Sequence, residues 1–403
     1  MLTEFTPKTV DLTEEEYRIL LREFKNKVVV YRSEEKDKFD LYPQQYVGIV
    51  VLPTHPIIIQ PKIPLLNFFY MLVYSYNIPE FAKQLFSFRP EHDIYEIIVS
   101  KFVQEIEKLV EMGMYKNYLT VEDNLSAVKG RIIVNINERL NMVQRQKIYC
   151  KFSDFTSDIL ENRILKYTLY KLSFLCFRDY SLKSRIRKLL HYFDSVSFEF
   201  IRDAHFDAAE ANLTRLNEHY RPLIRISRIL IENISLNLQK HGRVGFWSFL
   251  IDMNHLFQKF VTFCLQDLKG FEVKSEPVYP WDIECLTTIK PDIVIRQGKD
   301  VKLVLDAKYK LISLDKKEVY GDDVRQVGDY CTTLGLQKGI LVYPRISIEQ
   351  KVSDFLIKKK DPVTGRIYQI ILKTIDLTST DLPVFQSACK DFVVSIESIL
   401  NSQ

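Results

Sequence analysis

Two carboxylates and a lysine set on one hairpin constrain this chain more than any other feature of it. Pro291-Asp292 opens an apolar strand-like run, PDIVIRQ, and Asp306-Ala307-Lys308 closes the next one, VKLVLDAKYK. Gln297-Gly298 lies between them as the turn, so the pattern reads P-D-x13-D-x-K across a hairpin. Side chains alternate along a strand, so Asp306 and Lys308 share a face with Val304, while Leu303, Leu305 and Ala307 point the other way. Charges at the end of a buried strand are unfavourable unless something offsets them. A divalent ion between Asp292 and Asp306 would do so, and hard oxygen donors suit Mg²⁺, with Mn²⁺ the alternative. Such an ion acidifies a bound water and stabilises a pentavalent phosphate, and Lys308 can orient that water or neutralise phosphate charge. Taken alone, D-x-K also fits a plain salt bridge between Asp306 and Lys308 on an edge strand.

The segment after the hairpin adds to the pattern. A helix is expected from about Val319 to Leu334, and on it Gln326 and Tyr330 are i, i+4 and share one face. Q-x3-Y following a D-x-K strand resembles the supporting motif of RecB-type nucleases. The resemblance implies that these two side chains help to hold the site and the DNA strand.

A chain of 403 residues accommodates two or three domains. Residues 1–88 read as β-rich, with short runs KVVVYRS, FDLYP, YVGIVVLP and PIIIQPKI, followed by the helical pattern LLNFFYMLVYSYNI. Residues 89–240 read as mainly helical. Residues 241–403 read as an α/β domain: a helix capped by Asp252, three strands, a helix, a strand, a hairpin and a last helix from about Pro383 to Leu400, giving a mixed sheet. The expected class is therefore multidomain α+β. In the middle region Lys183, Arg185, Arg187 and Lys188 form a basic run, which fits either a phosphate-contacting surface or a solvated helix face.

Composition narrows the setting. Hydrophobic residues at 46% and charged residues at 27% suit a packed globular core, and only 12 glycines argue against long flexible linkers. A net charge of +4 neither requires nor excludes nucleic acid. No two of the six cysteines have CxxC-type spacing, so they read as small core residues in a reducing cytoplasm. The N-terminus has no apolar signal core, and prolines, His55 and Lys62 break the most apolar stretch, Val47 to Tyr76. A cytoplasmic protein with no membrane partner is expected.

The order and spacing of longer segments carry a wider resemblance. They are YVGIVVLP, IIIQPKI and FFYMLVY near the N-terminus, then KGRI at 129–132, SDILENRILKYTL and TRLNEHYRPL at 214–223. IDMNHLFQKFV, KPDIVI, LVLDAKYK, RQVGDY and GILVYP follow. Together they resemble the McrC family, the nuclease subunits of McrBC-type modification-dependent restriction systems. The resemblance implies a PD-(D/E)xK endonuclease domain at 241–403, with Asp292, Asp306 and Lys308 catalytic and Asp292 and Asp306 holding the metal. It implies a McrB-like AAA+ GTPase (or ATPase) hexamer as partner, docked through residues 1–88, and double-stranded DNA with modified bases as substrate. The chain has no GxxxxGK[ST] loop of its own, so the motor is a separate protein. One position departs from the pattern: Gln258 stands where the family usually has a glutamate that supports the metal. That departure keeps open a non-catalytic DNA-binding activator or scaffold of the AAA+ partner. A stand-alone RecB-like repair nuclease is a further alternative.

Overall fold

Long-range pairing decides the architecture. The computed structural model describes residues 1–35, 38–78, 81, 94–143, 146–238, 244–281, 287–310, 321–346, 355–360, 365 and 367–401. The chain divides into two compact units, one made of residues 1–93 together with 248–403 and the other of residues 94–247.

The first unit is built on a six-stranded mixed sheet. Its strands run in the order Glu272–Ser275, Ile293–Gln297, Asp300–Ala307, Lys338–Arg345, Ile367–Asp376, Phe355–Lys360. Asp300–Ala307, Lys338–Arg345 and Ile367–Asp376 are parallel, and the remaining pairs are antiparallel. The expected mixed sheet and the hairpin at 293–307 are present. The turn of the later hairpin, at 361–364, lies outside the described residues, as does the expected start of the helix at Val319.

Helix Gly321–Leu334 covers one face of the sheet. Val327, Tyr330 and Cys331 pack there against Val294, Val304, Leu341 and Ile370. Gly339 allows that packing, because a Cβ there would come within 2.5 Å of Val327 Cγ1 and 2.7 Å of Cys331 Sγ. Helix Met253–Leu265 packs against Asp300–Ala307 and Glu272–Ser275. Asp252 caps it, its side chain accepting from Asn254 and His255 N–H. Helix Leu382–Asn401 lies against Ile367–Asp376.

Residues 1–78 do not stand apart from this core. The helix Leu65–Ser75 buries seven residues, far more than a surface helix needs, and packs on Met253–Leu265. Asn67 Nδ2 donates to Leu377 O at 2.7 Å, and Ser75 Oγ to Leu256 O at 3.3 Å. Strands Leu2–Thr3, Pro56–Gln60 and Tyr46–Val51 form a second sheet that continues with 248–252. Gly48 permits that last pairing, since a Cβ would sit 2.0 Å from Phe249 O. The expected separation of 1–88 from 241–403 is thus corrected. The N-terminal helix packs on a C-terminal helix and the N-terminal strands share a sheet with 248–252, and both expected boundaries fall outside the described residues.

The N-terminal segment also holds a helix that the β-rich reading passed over. Thr13 and Glu16 form a reciprocal capping box at the start of Glu14–Glu23. T-x-x-E was legible as a helix start.

The second unit packs helices Ile94–Met112, Leu160–Ser173, Tyr180–Tyr192, Asp203–Ala211 and Arg221–Asn233. It also contains a three-stranded antiparallel sheet of Asn117–Leu125, Ile148–Thr156 and Arg131–Ile132, in a region that reads as mainly helical. Cys150, Cys264 and Cys331 are buried free thiols, whereas Cys176 is exposed rather than in the core, and Cys285 lies outside the described residues. No helix among the described residues is long and apolar enough to cross a membrane.

Candidate active site

Asp292 stands one residue before Ile293–Gln297, and Asp306 is the next-to-last residue of Asp300–Ala307. The antiparallel register sets Ile293 opposite Leu305, so Asp292 falls opposite Asp306 at the strand ends. Asp292 Oδ2 accepts the Ala307 N–H at 2.9 Å, and its carbonyl accepts the Glu276 N–H at 2.8 Å. Glu276 takes a left-handed backbone (φ 50°) to make that bond.

Lys308 extends the parallel ladder by one residue, its N–H donating to Val342 O at 2.9 Å. Its Nζ lies 2.7 Å from Asp306 Oδ2 and donates to Gln326 Oε1 at 3.0 Å. Gln326 Nε2 donates to the Tyr330 hydroxyl at 2.7 Å, and that hydroxyl donates to Lys290 O at 3.3 Å. A continuous relay therefore leaves one carboxylate through Lys308, Gln326 and Tyr330. It returns to the main chain two residues before the other carboxylate. The i, i+4 spacing of Gln326 and Tyr330 is what lets one helix face supply both middle links.

Asp306 is fully buried, yet among the described residues neither of its oxygens has an aligned hydrogen-bond donor. The Lys308 ammonium is close enough for an ion pair but lies off the line of a hydrogen bond, so the short distance counts here as charge pairing only. Burial, together with the Asp306 charge, pushes the Asp292 carboxyl up to about 7. Burial raises Asp306 as well, against the opposing pull of Lys308. Burial alone would lower the Lys308 ammonium. The carboxylates of Asp306, Asp292 and Asp323 outweigh it and hold the lysine above its usual range. Burial and the same negative charge push the Tyr330 hydroxyl up to about 12.

A buried carboxylate whose oxygens lack donors suits a hard cation, and Asp292 and Asp306 are the side chains placed to hold one. Among the described residues no group of three or more His, Cys, Asp or Glu side chains gathers as a metal cluster.

The model of the family described as McrBC 5-methylcytosine restriction system component matches residues 41–344. The chain belongs to that family. Within the McrBC relatives, the type IV methyl-directed restriction enzyme EcoKMcrBC of Escherichia coli K12 is 24% identical over 340 residues, covering 79% of this chain and 94% of the relative. The fold is similar over 99% of both chains, with a TM-score of 0.59 and 20% identity, to a chain of the half-complex of Thermococcus gammatolerans McrB AAA+ hexamers with bound McrC.

Of the residues singled out in this McrBC family member, Asp292, Asp306, Lys308, Gln326 and Tyr330 come together. Gln258, on helix Met253–Leu265, meets the residue whose main chain holds Asp292. It hydrogen-bonds the carboxylate of Glu276, which is held well ionised chiefly by its ion pair with Lys290. Glu276 in turn donates its main-chain N–H to Asp292 O, which links Gln258 to that end of the site.

The basic run belongs to the second unit, on helix Tyr180–Tyr192. Glu107 chelates Arg185 at 2.8 and 2.6 Å, so that guanidinium serves helix packing. Lys183 is half-buried, and Arg187 and Lys188 are exposed.

Sequence reading missed three groups. Asp323, buried on the same helix face as Gln326, is gripped by Lys310 and by the Tyr343 hydroxyl. Tyr309, between the two lysines, donates to Glu4 Oε1 at 2.8 Å across 305 residues of sequence. Lys62 lies 4.1 Å from the Tyr309 ring centre, and its N–H donates to the same Glu4 oxygen. Only the D-x-K-x-K alternation hinted at Lys310. Nothing local hinted at Glu4.

Proposed function

We propose that this chain is the Mg²⁺-dependent endonuclease subunit of a modification-dependent restriction complex. It would hydrolyse phosphodiesters of double-stranded DNA together with a McrB-like AAA+ NTPase. The observation that carries the reading is the buried, donor-poor Asp306 beside a raised Asp292, with Lys308 fixed over them by Gln326 and Tyr330. A purely structural Asp–Lys pair needs neither the second carboxylate nor the relay. Family membership and the restriction activity named for the Escherichia coli relative support it further. So does the McrB-bound state named for the Thermococcus gammatolerans assembly.

In this reading Asp292 and Asp306 hold the ion, which when bound supplies positive charge against the phosphate oxygens. Asp292 sheds its proton to do so. Ala307 N–H keeps its carboxylate turned toward Asp306. Lys308 places its ammonium where charge develops on the phosphate or where the attacking water must be oriented. Gln326 and Tyr330 restrict that ammonium to one position.

The activator reading draws on one observation, the engagement of Gln258 with Glu276 in place of a third metal-facing carboxylate. One experiment separates the two. The chain and its AAA+ partner are co-purified and given Mg²⁺, GTP or ATP, and duplex DNA with and without 5-methylcytosine. Cleavage that Asp306→Asn abolishes, with nucleotide hydrolysis intact, supports the endonuclease. Nucleotide hydrolysis without any cleavage supports the activator.

A further inference from the structure

We propose that Lys310 is a second backbone-phosphate contact for the DNA strand at this site, held in position by Asp323 until the strand arrives. The inference rests on the endonuclease reading and adds a substrate-binding residue to it.

Two lysines leave the end of the motif strand and reach the same helix. Lys308 Nζ donates to Gln326, and Lys310 Nζ donates to both oxygens of Asp323 at 2.9 and 3.0 Å. Asp323 and Gln326 are i, i+3 on Gly321–Leu334, so the two ammonium groups form successive rungs between strand end and helix. The rungs lie at the carboxyl ends of the parallel strands Asp300–Ala307 and Lys338–Arg345, the edge where sheets of this kind receive ligands.

The two partners differ in freedom. The Asp323 side chain is only 6% exposed and also accepts the Tyr343 hydroxyl at 3.1 Å, so it is fixed. The Lys310 side chain is 41% exposed and ends in a strongly hydrated point charge on a flexible stem. A pair this open to solvent adds little to stability.

Charge balance gives the arrangement a purpose. With every group ionised, Asp292, Asp306 and Asp323 against Lys308 and Lys310 leave one excess negative charge. A divalent ion on Asp292 and Asp306 would reverse the sign to one excess positive charge, which favours the approach of a phosphodiester strand. Lys310 is the outermost of these cations and can turn from Asp323 to a phosphate one step along the strand from the one that Lys308 faces.

The test is equilibrium binding of a short duplex to the full chain across a salt series, with Ca²⁺ replacing Mg²⁺ and the duplex checked for intactness. Lys310→Ala should weaken binding by roughly three- to tenfold and reduce the slope of log K against log salt by about 0.9, the value for one phosphate contact. Lys310→Arg should restore the slope. Asp323→Asn should bind DNA as tightly as the parent or more tightly. That gain should vanish when Lys310→Ala is added, because the aspartate acts through the lysine.

A structural pair predicts the opposite pattern. Lys310→Ala and Asp323→Asn would then shift binding in the same direction, with the salt slope unchanged. That result, or full affinity and slope in Lys310→Ala, overturns the inference while leaving the endonuclease reading intact. A parent chain that binds no duplex at any salt overturns both.

Discussion

Asp292→Asn should make the metal-free protein more stable, by an amount that depends on pH. The asparagine keeps the shape of the side chain, and its amide oxygen can still accept the Ala307 N–H. It removes a carboxyl that folding pushes from an ordinary 3.8 up to about 7, through burial first and the Asp306 charge second. A raised carboxyl stabilises the fold in its protonated form. That contribution is complete below the unfolded value near 4 and disappears as pH rises through about 7. A rise of this size corresponds to at most ~4 kcal/mol. Asp292 is only partly buried, so hydration recovers about half, leaving ~2 kcal/mol as the expected gain above pH 8. In a compact unit of roughly 250 residues that is ~4–8 °C in the thermal midpoint. The assay is thermal unfolding in EDTA from pH 4 to 9, with the same series in Mg²⁺. The variant's advantage should grow between pH 4 and 7 and level off above. Mg²⁺ should raise the midpoint of the parent and barely move the variant, since binding to the folded state alone stabilises it. An advantage that is absent or independent of pH would refute the electrostatic account of this pair.

Three further outcomes follow from the same geometry. Gln258→Glu puts a carboxylate against the ionised Glu276, so Mn²⁺ titration calorimetry should show no gain in affinity and the variant should unfold at lower temperature; a tighter Mn²⁺ site would place Gln258 at the ion after all. Tyr309→Phe leaves buried Glu4 without its hydroxyl donor, which should destabilise by about 1–3 kcal/mol in urea unfolding and slow DNA cleavage through the adjacent Lys308; unchanged stability would contradict the buried bond. A fragment from residue 241 onward should fail to fold by circular dichroism and hydrogen exchange, because residues 1–78 cover its core. Deleting residues 1–88 would therefore remove structure at the site as well as any docking surface there, and a folded fragment would overturn the two-unit division.

The legible parts of the site are those set by local periodicity. A two-residue repeat put Asp306 and Lys308 on one face, and a four-residue spacing put Gln326 and Tyr330 on one helix face; both hold. Asp252 announced its helix by capping chemistry, and Thr13-x-x-Glu16 offered the same signal at the N-terminus. What sequence could not supply were contacts between distant segments. Glu4 meets Tyr309, Asn67 meets Leu377, and Glu107 takes Arg185 out of the basic run, 78 residues away. The first two of those contacts join the N-terminal segment to the C-terminal elements in one unit, where composition and pattern suggested two. Gln258 shows the same limit at short range. Its position on the helix was readable, but the neighbour it faces, Glu276, depends on a left-handed turn that brings the strand edge back to Asp292.

The proposed function stands on Asp292, Asp306 and Lys308 acting as a metal-dependent phosphodiesterase site. The most direct measurement is single-turnover cleavage of 5-methylcytosine-containing duplex by the full chain assembled with its AAA+ partner. It compares Mg²⁺ with EDTA and the parent with Asp306→Asn and Lys308→Ala. Cleavage is expected from the parent only in Mg²⁺ and from neither variant, with nucleotide hydrolysis unchanged in all three. Full cleavage by Asp306→Asn, or by the parent in EDTA, would contradict it.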